Sequence, residues 1–251
     1  MYRHQVSPAV ITETLVRLEG NDAHHLLHVL RAKEGTEVTL FDGIGHSRLY
    51  HVQAREEEAL ILEAKQPLFS TEAPPVRLRL FACIPKGDRM EWLLEKATEL
   101  GVNEIVPVIS DRTIVRLEGK QAIAKRERWQ RIVEAASRQC GTTLIPTVHP
   151  PMRFAETQTL MQQCTTLIVA ALIPEAKPLK PVLDTLDPTQ TEQVWGWWCG
   201  PEGDFTATEM QTILAAGAIP VTLGPLILRA ETAAIYGLAN LGCTRHAKEN
   251  G

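Results

Sequence analysis

The alternation of short apolar segments with amphipathic segments after residue 75 constrains the fold more than any other feature of this sequence. Apolar runs without alternation are typical of strands buried on both faces, and a repeat near 3.6 residues is typical of helices. Together they predict an α/β fold, with a mostly parallel sheet covered by helices on both faces. The predicted strands are 76–84, 103–110, 165–172, 193–200 and 218–224.

The helices of this part have recognisable starts and ends. Asp88 can cap the first helix, and Gly101 ends it. Thr206 and Glu209 have the spacing of a capping box at the start of another helix. The predicted helices are 88–101, 125–141, 207–217 and 229–242.

The first seventy residues have a different pattern, in which short strands follow a small helix at 21–31. Strands at 35–43, 47–56 and 59–67 at similar spacing predict a compact barrel. Three prolines fall between Gln66 and Pro75, as in a linker. We therefore predict two domains, 1–72 and 73–251.

Composition excludes several classes of protein. Hydrophobic residues make up 44% and charged residues 22%, which excludes a disordered chain. No apolar run approaches the roughly 18 residues of a membrane span, and the N-terminus does not resemble a secretory signal. The five cysteines are scattered without C-x-x-C spacing, so we expect a cytoplasmic protein without a zinc site.

The net charge of −4 does not indicate a nucleic-acid binder, but the charge is uneven along the chain. Residues 110–140 contain eight basic and four acidic side chains. This excess fits either phosphate contacts or a solvated helix face.

Three loops that follow late strands are the places where an α/β sheet would bind a ligand. They are Ala171–Glu175, Gly200–Phe205 and Leu223–Arg229, and the last two contain Gly-Pro. Their glycines allow a close backbone approach, and backbone amides can read an adenine edge. Two ordinary tight turns are the alternative. Dinucleotide, P-loop and nucleophile-elbow motifs are absent from the sequence.

Two clusters have both a functional and a structural interpretation. His24 and His28 share a helix face, but no usual ligand set completes a metal site, so surface or RNA-facing histidines are favoured. Trp195, Trp197 and Trp198 could stack on bases, although packing against helices is favoured.

The late loops resemble the paired motifs of SPOUT-class methyltransferases, and most closely those of the RsmE family of 16S ribosomal RNA uridine N3-methyltransferases. The resemblance runs nearly end to end. Its segments are GPEGDFTATEM (200–210), LGPLILRAETA (223–233), RHQV (3–6), HHLLHVLR (24–31), LFDGIG (40–45), KGDRMEWLLEKATELGV (86–102), PVISDR (107–112) and WQRIVEAASRQCG (129–141).

The resemblance implies a PUA-like β-barrel that binds RNA, followed by a SPOUT-type α/β knot whose C-terminal third forms a deep trefoil. It implies a homodimer that uses S-adenosylmethionine and no metal, acting on 16S ribosomal RNA of the small ribosomal subunit. The implied cofactor-binding residues are Leu172, Ile173, Gly200, Pro201, Glu202, Gly203, Leu223, Gly224, Leu226, Leu228, Thr232 and Ala233.

The catalytic candidates are Arg229 and Glu231. Arg229 could stabilise a uridine anion, or it could pair with Glu231 or Glu202 in a structural role. Glu231 could orient Arg229 or accept the proton. The expected RNA contacts are Arg3, Arg31, Lys86, Arg89 and Arg112.

Three positions depart from the family pattern. Leu226 and Thr142 stand where the family usually has arginine, so RNA affinity or activity could be reduced. Asp204 replaces a common glycine and looks tolerated. Two other functions stay open: methylation of a different RNA, and RNA binding without cofactor.

Overall fold

The computed structural model describes residues 2–247 of the chain. It divides into two compact units. The first runs to Ala73 and also includes Ser137–Ile145. The second contains Pro74–Ala136 and the chain from Pro146 onward.

The first unit is built on a six-stranded sheet in the order β1-β3-β4-β5-β2, with β6 beside β4. β1 and β3 are parallel, and the other pairs are antiparallel. A register shift between Val52 and Ala54 marks a bulge in β4, which bends the strand. The elements are β1 (Tyr2–Gln5), α1 (Pro8–Thr12), β2 (Leu15–Leu18), α2 (Gly20–His24), a π-helical turn (His25–Val29), β3 (Glu37–Phe41), β4 (His46–Arg55), β5 (Leu60–Ala64) and β6 (Phe69–Ser70).

A single apolar cluster fills the first unit. Tyr50 is fully buried in it, and its hydroxyl donates to the carbonyl oxygens of Ile11 and Glu13 at 3.0 and 2.8 Å. These bonds satisfy the one polar atom of a side chain that otherwise packs among apolar groups. The cluster includes Ile11, Leu26, Leu40, Leu60 and Leu62. The small sheet fits the predicted PUA-like barrel.

Ser137–Ile145 joins the first unit through backbone and side-chain hydrogen bonds. Ile145 donates to the carbonyl oxygen of Gly43 at 2.9 Å, and Gly45 donates to that of Thr143 at 3.0 Å. The hydroxyls of Thr71 and Thr143 are 2.8 Å apart. Nothing local in the sequence indicates this pairing, because the partners are far apart along the chain.

The second unit contains an eight-stranded, all-parallel sheet in the order β10-β8-β7-β13-β11-β14-β12, with β9 beside β8. This confirms the predicted parallel α/β fold. The elements are β7 (Val76–Cys83), α3 (Arg89–Glu99), β8 (Glu104–Ile109), α4 (Gly119–Cys140), β9 (Thr147–Val148), β10 (Met152–Arg153), a 3-10 turn (Phe154–Thr157), α5 (Gln158–Gln162), β11 (Thr166–Ala170), β12 (Lys177–Pro178), α6 (Leu179–Leu183), β13 (Gln193–Cys199), α7 (Ala207–Ala215), β14 (Ile219–Thr222) and α8 (Ala230–His246).

The helix starts agree only partly with the sequence. The capping box of α7 is confirmed, since Thr206 accepts from the Glu209 amide and the Glu209 carboxylate accepts from the Thr206 amide. Asp88 is the N-cap residue of α3, as predicted, but its side chain makes no capping hydrogen bond. α4 begins at Gly119, earlier than the predicted residue 125.

The three tryptophans of β13 are fully buried, which confirms the packing interpretation. Trp198 stacks on Phe81 with ring centroids 4.6 Å apart. On the other face, Trp197 lies so close to α8 that a Cβ on Gly237 would fall 2.0 Å from its ring. Gly237 therefore lets α8 pack directly on the sheet.

His24 and His28 lie with ring centroids 4.6 Å apart. Within residues 2–247, no three His, Cys, Asp or Glu side chains come together as a metal site would require. Over the same residues, no helix is long and apolar enough to cross a membrane.

Candidate cofactor pocket

The three late loops meet around one cavity of about 270 Å³ in the second unit. Each loop follows the carboxyl end of a strand, namely β11, β13 or β14. The predicted cofactor residues that line the cavity are Leu172, Gly200, Pro201, Glu202, Leu223, Gly224, Leu226, Leu228 and Ala233, and Arg229 lines it as well.

The loop after β13 is a tight turn, in which the Asp204 amide donates to the Pro201 carbonyl oxygen at 2.9 Å. Asp204 has a φ of 60°, in the left-handed region that favours glycine. This conformation fits the glycine that the resemblance implies at this position, and aspartate is among the residues that tolerate the region best. A Cβ on Gly200 would lie 3.0 Å from the Phe205 ring, so the turn leaves little room there.

Arg112 supports the same loop from outside. Its Nη1 donates to the Gly203 carbonyl oxygen at 2.7 Å and approaches that of Phe205 at 3.4 Å. The loop that carries Arg112 is also joined to α7, because the Asp111 amide donates to the Glu209 carboxylate at 2.9 Å. The guanidinium predicted to contact RNA thus has partners inside the second unit.

The last loop presents apolar side chains to solvent and to the cavity. Gly224 has a φ of 119°, a conformation that L-residues rarely adopt. Leu226 is 75% exposed and Ile227 is 82% exposed, which is unusual for large apolar side chains. The loop therefore carries an apolar tip where the family usually has an arginine.

Arg229 is the N-cap residue of α8, and its side chain is exposed at the cavity wall. Between residues 2 and 247 it forms no ion pair. The glutamates expected as its partners pair with Arg89 instead, Glu202 at 3.3 Å and Glu231 at 3.8 Å. The prediction that Arg229 forms an ion pair with Glu231 or Glu202 is therefore wrong.

Four predicted cofactor or catalytic residues do not line the cavity: Ile173, Gly203, Thr232 and Glu231. Ile173 packs against the apolar cluster of the sheet, and Thr232 is exposed on α8. Glu231 is buried. Gly203 lies beside Arg112.

The expected RNA contacts are divided between the two units. Arg3 is half-buried, and its Cζ lies 5.3 Å from the centroid of the Phe41 ring. This burial lowers the pKa of the Arg3 guanidinium. Arg31 is exposed with a φ of 53° after the π-helical turn. Lys86 is exposed, and its backbone amide approaches Glu202 at 3.4 Å.

Residues that the motif comparison missed also line the cavity. Ala171, Asp204 and Ile227 lie in the three loops that the rule of ligand binding at the carboxyl ends of parallel strands had already located, and the others directly flank those loops. They are Ala170, Ala171, Asp204, Val221, Thr222, Ile227 and Ala230.

The buried thiols of the second unit are not nucleophiles. Burial raises the pKa of Cys83 to about 12 and that of Cys164 to about 11. Cys199, directly before Gly200, also has a raised pKa because it is buried. These thiols stay protonated at neutral pH, so the pocket is not built for thiolate chemistry.

A larger cavity of about 600 Å³ lies at the ends of β8 and β10. Its arginines already have partners: Arg116 donates to the Ser110 and Thr113 carbonyl oxygens, and Arg153 pairs with Glu118 at 2.7 Å. The smaller cavity has the glycine loops and an unpaired arginine, so it is the better candidate for chemistry.

The fold and the pocket are those of an RNA methyltransferase. The family described as RNA methyltransferase domain matches residues 72–242, and the RNA methyltransferase PUA domain matches residues 18–65. The chain belongs to this family.

Within it, the chain belongs with the enzymes named ribosomal RNA small subunit methyltransferase E. That of Synechocystis is 30% identical over 96% of this chain and 77% of its own. That of Bacillus subtilis is 27% identical over 88% of this chain and 87% of its own.

Solved structures agree with this placement. A crystal structure of the Neisseria gonorrhoeae methyltransferase E bound to S-adenosyl methionine is 34% identical. It covers 97% of each chain with a TM-score of 0.81. A methyltransferase from Legionella pneumophila in complex with the same cofactor is 25% identical, with a TM-score of 0.82 over 95% of this chain and 96% of its own.

Proposed function

We propose that this protein transfers a methyl group from S-adenosylmethionine to N3 of a uridine in 16S ribosomal RNA of the small subunit. The observation that carries the proposal is the single pocket formed by the loops after β11, β13 and β14. The 34% identity to a cofactor-bound methyltransferase E over 97% of the chain supports it.

The pocket suits this cofactor chemically. Backbone groups of two glycine-containing loops and apolar side chains such as Leu172 and Leu228 can hold a planar adenine. Glu202 and Asp204 offer carboxylates to a ligand that carries positive charge. The cavity volume, about 270 Å³, lies just below the range of roughly 300–1,000 Å³ that is usual for small-molecule sites. When bound, the cofactor supplies the methyl group.

The domain that carries the pocket is residues 73–251, and its C-terminal third forms a trefoil knot in this proposal. The knot is what the resemblance to SPOUT-class methyltransferases implies, and the eight-stranded parallel sheet that carries the loops is compatible with it. Such a knot fixes the loops relative to each other, which suits a reaction that depends mostly on positioning.

Uridine N3 carries a proton and is a poor nucleophile until that proton leaves. The Arg229 guanidinium, at the cavity wall and without an acidic partner among the described residues, would stabilise the uridine anion as it forms. The α8 N-terminus, at which Arg229 lies, adds partial positive charge. Glu231, the second catalytic candidate, is buried outside the cavity beside Arg89, which favours a supporting role over direct proton transfer.

Residues 1–72 form the RNA-binding domain in this proposal, with Arg3 and Arg31 as phosphate contacts. Lys86, Arg89 and Arg112 are the contacts expected from the other domain, although the ion pairs of Arg89 and the hydrogen bond of Arg112 to Gly203 favour a supporting role for these two arginines. The target base has to leave its stack to reach a pocket of this size.

The active protein is a homodimer in the cytoplasm in this proposal. Large apolar side chains of the second unit that are exposed in the single chain support the dimer, because exposed apolar groups commonly mark interfaces. They are Trp92, Ile114, Ile123, Leu172, Leu226, Ile227 and Tyr236. Sedimentation equilibrium measures the mass directly.

The decisive experiment incubates the purified protein with undermethylated small subunits and S-adenosylmethionine labelled in the methyl group. We expect label in 16S ribosomal RNA, at N3 of one uridine by mass mapping. Label in a different RNA would favour another substrate. Cofactor binding absent by calorimetry, with RNA still bound, would favour a binding protein, for which the departures at Leu226 and Thr142 give some support.

A further inference from the structure

Arg89, in the first turn of α3, binds two carboxylates that come from different loops. Its Nη1 lies 3.3 Å from Glu202 Oε1, and its Nε lies 3.8 Å from Glu231 Oε1. Glu202 belongs to the loop after β13, and Glu231 belongs to the first turn of α8. One guanidinium therefore links both sides of the pocket to α3.

Both carboxylates that Arg89 binds belong to segments that flank Arg229. Glu202 lines the same cavity as Arg229, and Glu231 follows Arg229 by two residues. The Oε2 atom of Glu231 is buried without a hydrogen-bond partner. A buried carboxylate with an unused oxygen strongly favours any cation that can reach it.

Arg229 contrasts with Arg89. It is exposed at the cavity wall and forms no ion pair within the described part of the chain. A guanidinium bound by two carboxylates would have little attraction left for an anionic base, since its charge would already be compensated. A free guanidinium beside the pocket keeps that attraction.

We propose that Arg89 is a positioning residue, which holds the carboxylates of Glu202 and Glu231 away from Arg229 and so leaves the Arg229 guanidinium free for the uridine anion. This deepens the proposed function and rests on it. It also replaces the expected role of Arg89 as an RNA contact with a role in positioning side chains beside the pocket.

The first test needs no catalysis. Phenylglyoxal modifies free arginines faster than ion-paired ones, and mass spectrometry follows the rate at Arg229. In Arg89→Met we expect this rate to fall about fivefold, because the released carboxylates bind Arg229. Glu231→Gln added to Arg89→Met should restore most of the rate. Unchanged labelling in Arg89→Met would overturn the proposal, whether or not the protein methylates RNA.

The second test measures turnover on small subunits. Arg89→Met should lower kcat by about 30-fold, because it removes most of the transition-state stabilisation that one electrostatic donor provides. KM for the small subunit should stay nearly unchanged. Arg89→Lys keeps the charge and should recover much of kcat, although a lysine cannot bind both carboxylates as a planar fork. A raised KM with unchanged kcat in Arg89→Met would instead show an RNA contact and overturn the proposal.

Arg128→Met is the matched control. Arg128 pairs with Glu91 of α3 at 2.8 Å, contacts neither Glu202 nor Glu231, and has a largely exposed side chain. We expect its kcat and its Arg229 labelling to match those of the wild type. Thermal unfolding of all variants is measured alongside. If Arg89→Met does not fold, the proposal is tested with Arg89→Lys and with Arg89→Met in the Glu202→Gln/Glu231→Gln background. In that background, carboxylate capture is removed, so Arg89→Met should no longer slow the labelling of Arg229, and a persistent slowing would overturn the proposal.

Discussion

Arg112 donates a hydrogen bond to the carbonyl oxygen of Gly203, with 2.7 Å between Nη1 and the oxygen. The bond connects the loop after β8 to the loop after β13, whose residues Gly200, Pro201 and Glu202 line the pocket. The expected RNA contact thus supports the cofactor loop from behind. Removing the Arg112 side chain should therefore weaken cofactor binding more than RNA binding.

Arg112→Ala should weaken S-adenosylmethionine binding about tenfold, because a hydrogen bond from a charged donor contributes roughly 1.5–3 kcal/mol and part of that holds the loop. Titration calorimetry measures the change. Arg131→Ala removes an exposed charge of α4 and serves as the control with unchanged cofactor affinity. Weaker RNA binding with normal cofactor binding in Arg112→Ala would restore the original expectation.

Arg229→Ala should lower kcat by about 10²–10³-fold, the usual effect of removing a group that stabilises developing charge. Cofactor affinity should change by less than about threefold, because the guanidinium is assigned to the base and not to the cofactor. Single-turnover methylation and calorimetry separate the two quantities. Loss of cofactor binding would show that Arg229 builds the pocket instead.

The sequence predicted the second unit well because its signals are local. The segments that became β7, β8, β11, β13 and β14 are continuous apolar runs, as expected of strands buried on both faces. The capping box formed by Thr206 and Glu209 marks the start of α7 within four residues. The two-residue strands β9, β10 and β12 carry too few residues for any period, so they were missed. Ser137–Ile145 joins the first unit through partners distant in sequence, which no local pattern can show.

The sequence predicted where the pocket lies but not which charged side chains around it pair with each other. Motifs located the loops, since glycine and proline have local conformational requirements. The partners of Arg89 and Arg112 were not foreseen, because the distance of a side chain from a carboxylate on another loop depends on the packed fold. The same limitation assigned Arg229 to Glu231, its neighbour in sequence.

Gly237→Ala should destabilise the protein by about 3 kcal/mol, at the upper end for overpacking, because the added Cβ would fall 2.0 Å from the Trp197 ring. Urea unfolding followed by circular dichroism measures it. Gly242→Ala lies on the same helix, where a Cβ would meet only the Leu100 carbonyl oxygen at 3.6 Å. That control should be neutral or more stable by about 0.5–1 kcal/mol. Equal stability of the two variants would contradict the close packing of α8 on β13.

Leu226→Arg restores the residue that the family usually has in an exposed loop tip. We expect tighter binding to small subunits, by about fivefold, since one added phosphate contact contributes on the order of 1 kcal/mol. The slope of log affinity against log salt should steepen by about 1. Filter binding at several salt concentrations measures both. Ile227→Arg, at the neighbouring exposed position, is the control, and an equal gain there would indicate a general charge effect.

Glu104 on β8 forms an ion pair with Arg79, a buried residue directly opposite it on the neighbouring strand β7. Its Oε2 lies 2.8 Å from Arg79 Nη2 and 3.1 Å from His149 Nε2, and Arg79 is only 4% exposed. The hydrogen bond from His149 lowers the pKa of Glu104, burial opposes this, and the charge of Arg79 lowers the pKa further. The carboxylate is therefore more favourable in the folded protein than in the unfolded chain.

Glu104→Gln should destabilise the protein by about 3 kcal/mol at pH 7, because it leaves the buried Arg79 without its carboxylate. A lowered folded-state pKa means that the stabilisation is complete above the unfolded value of 4.5 and is lost as the pH falls through the lower folded value. The unfolding free energies of wild type and variant should thus converge below pH 4.5. Urea titrations from pH 7 to about pH 3 test this. Glu118→Gln, which breaks the exposed pair with Arg153, should cost less than about 1 kcal/mol at any pH. A difference between wild type and Glu104→Gln that stays constant with pH would show that the carboxylate charge does not contribute.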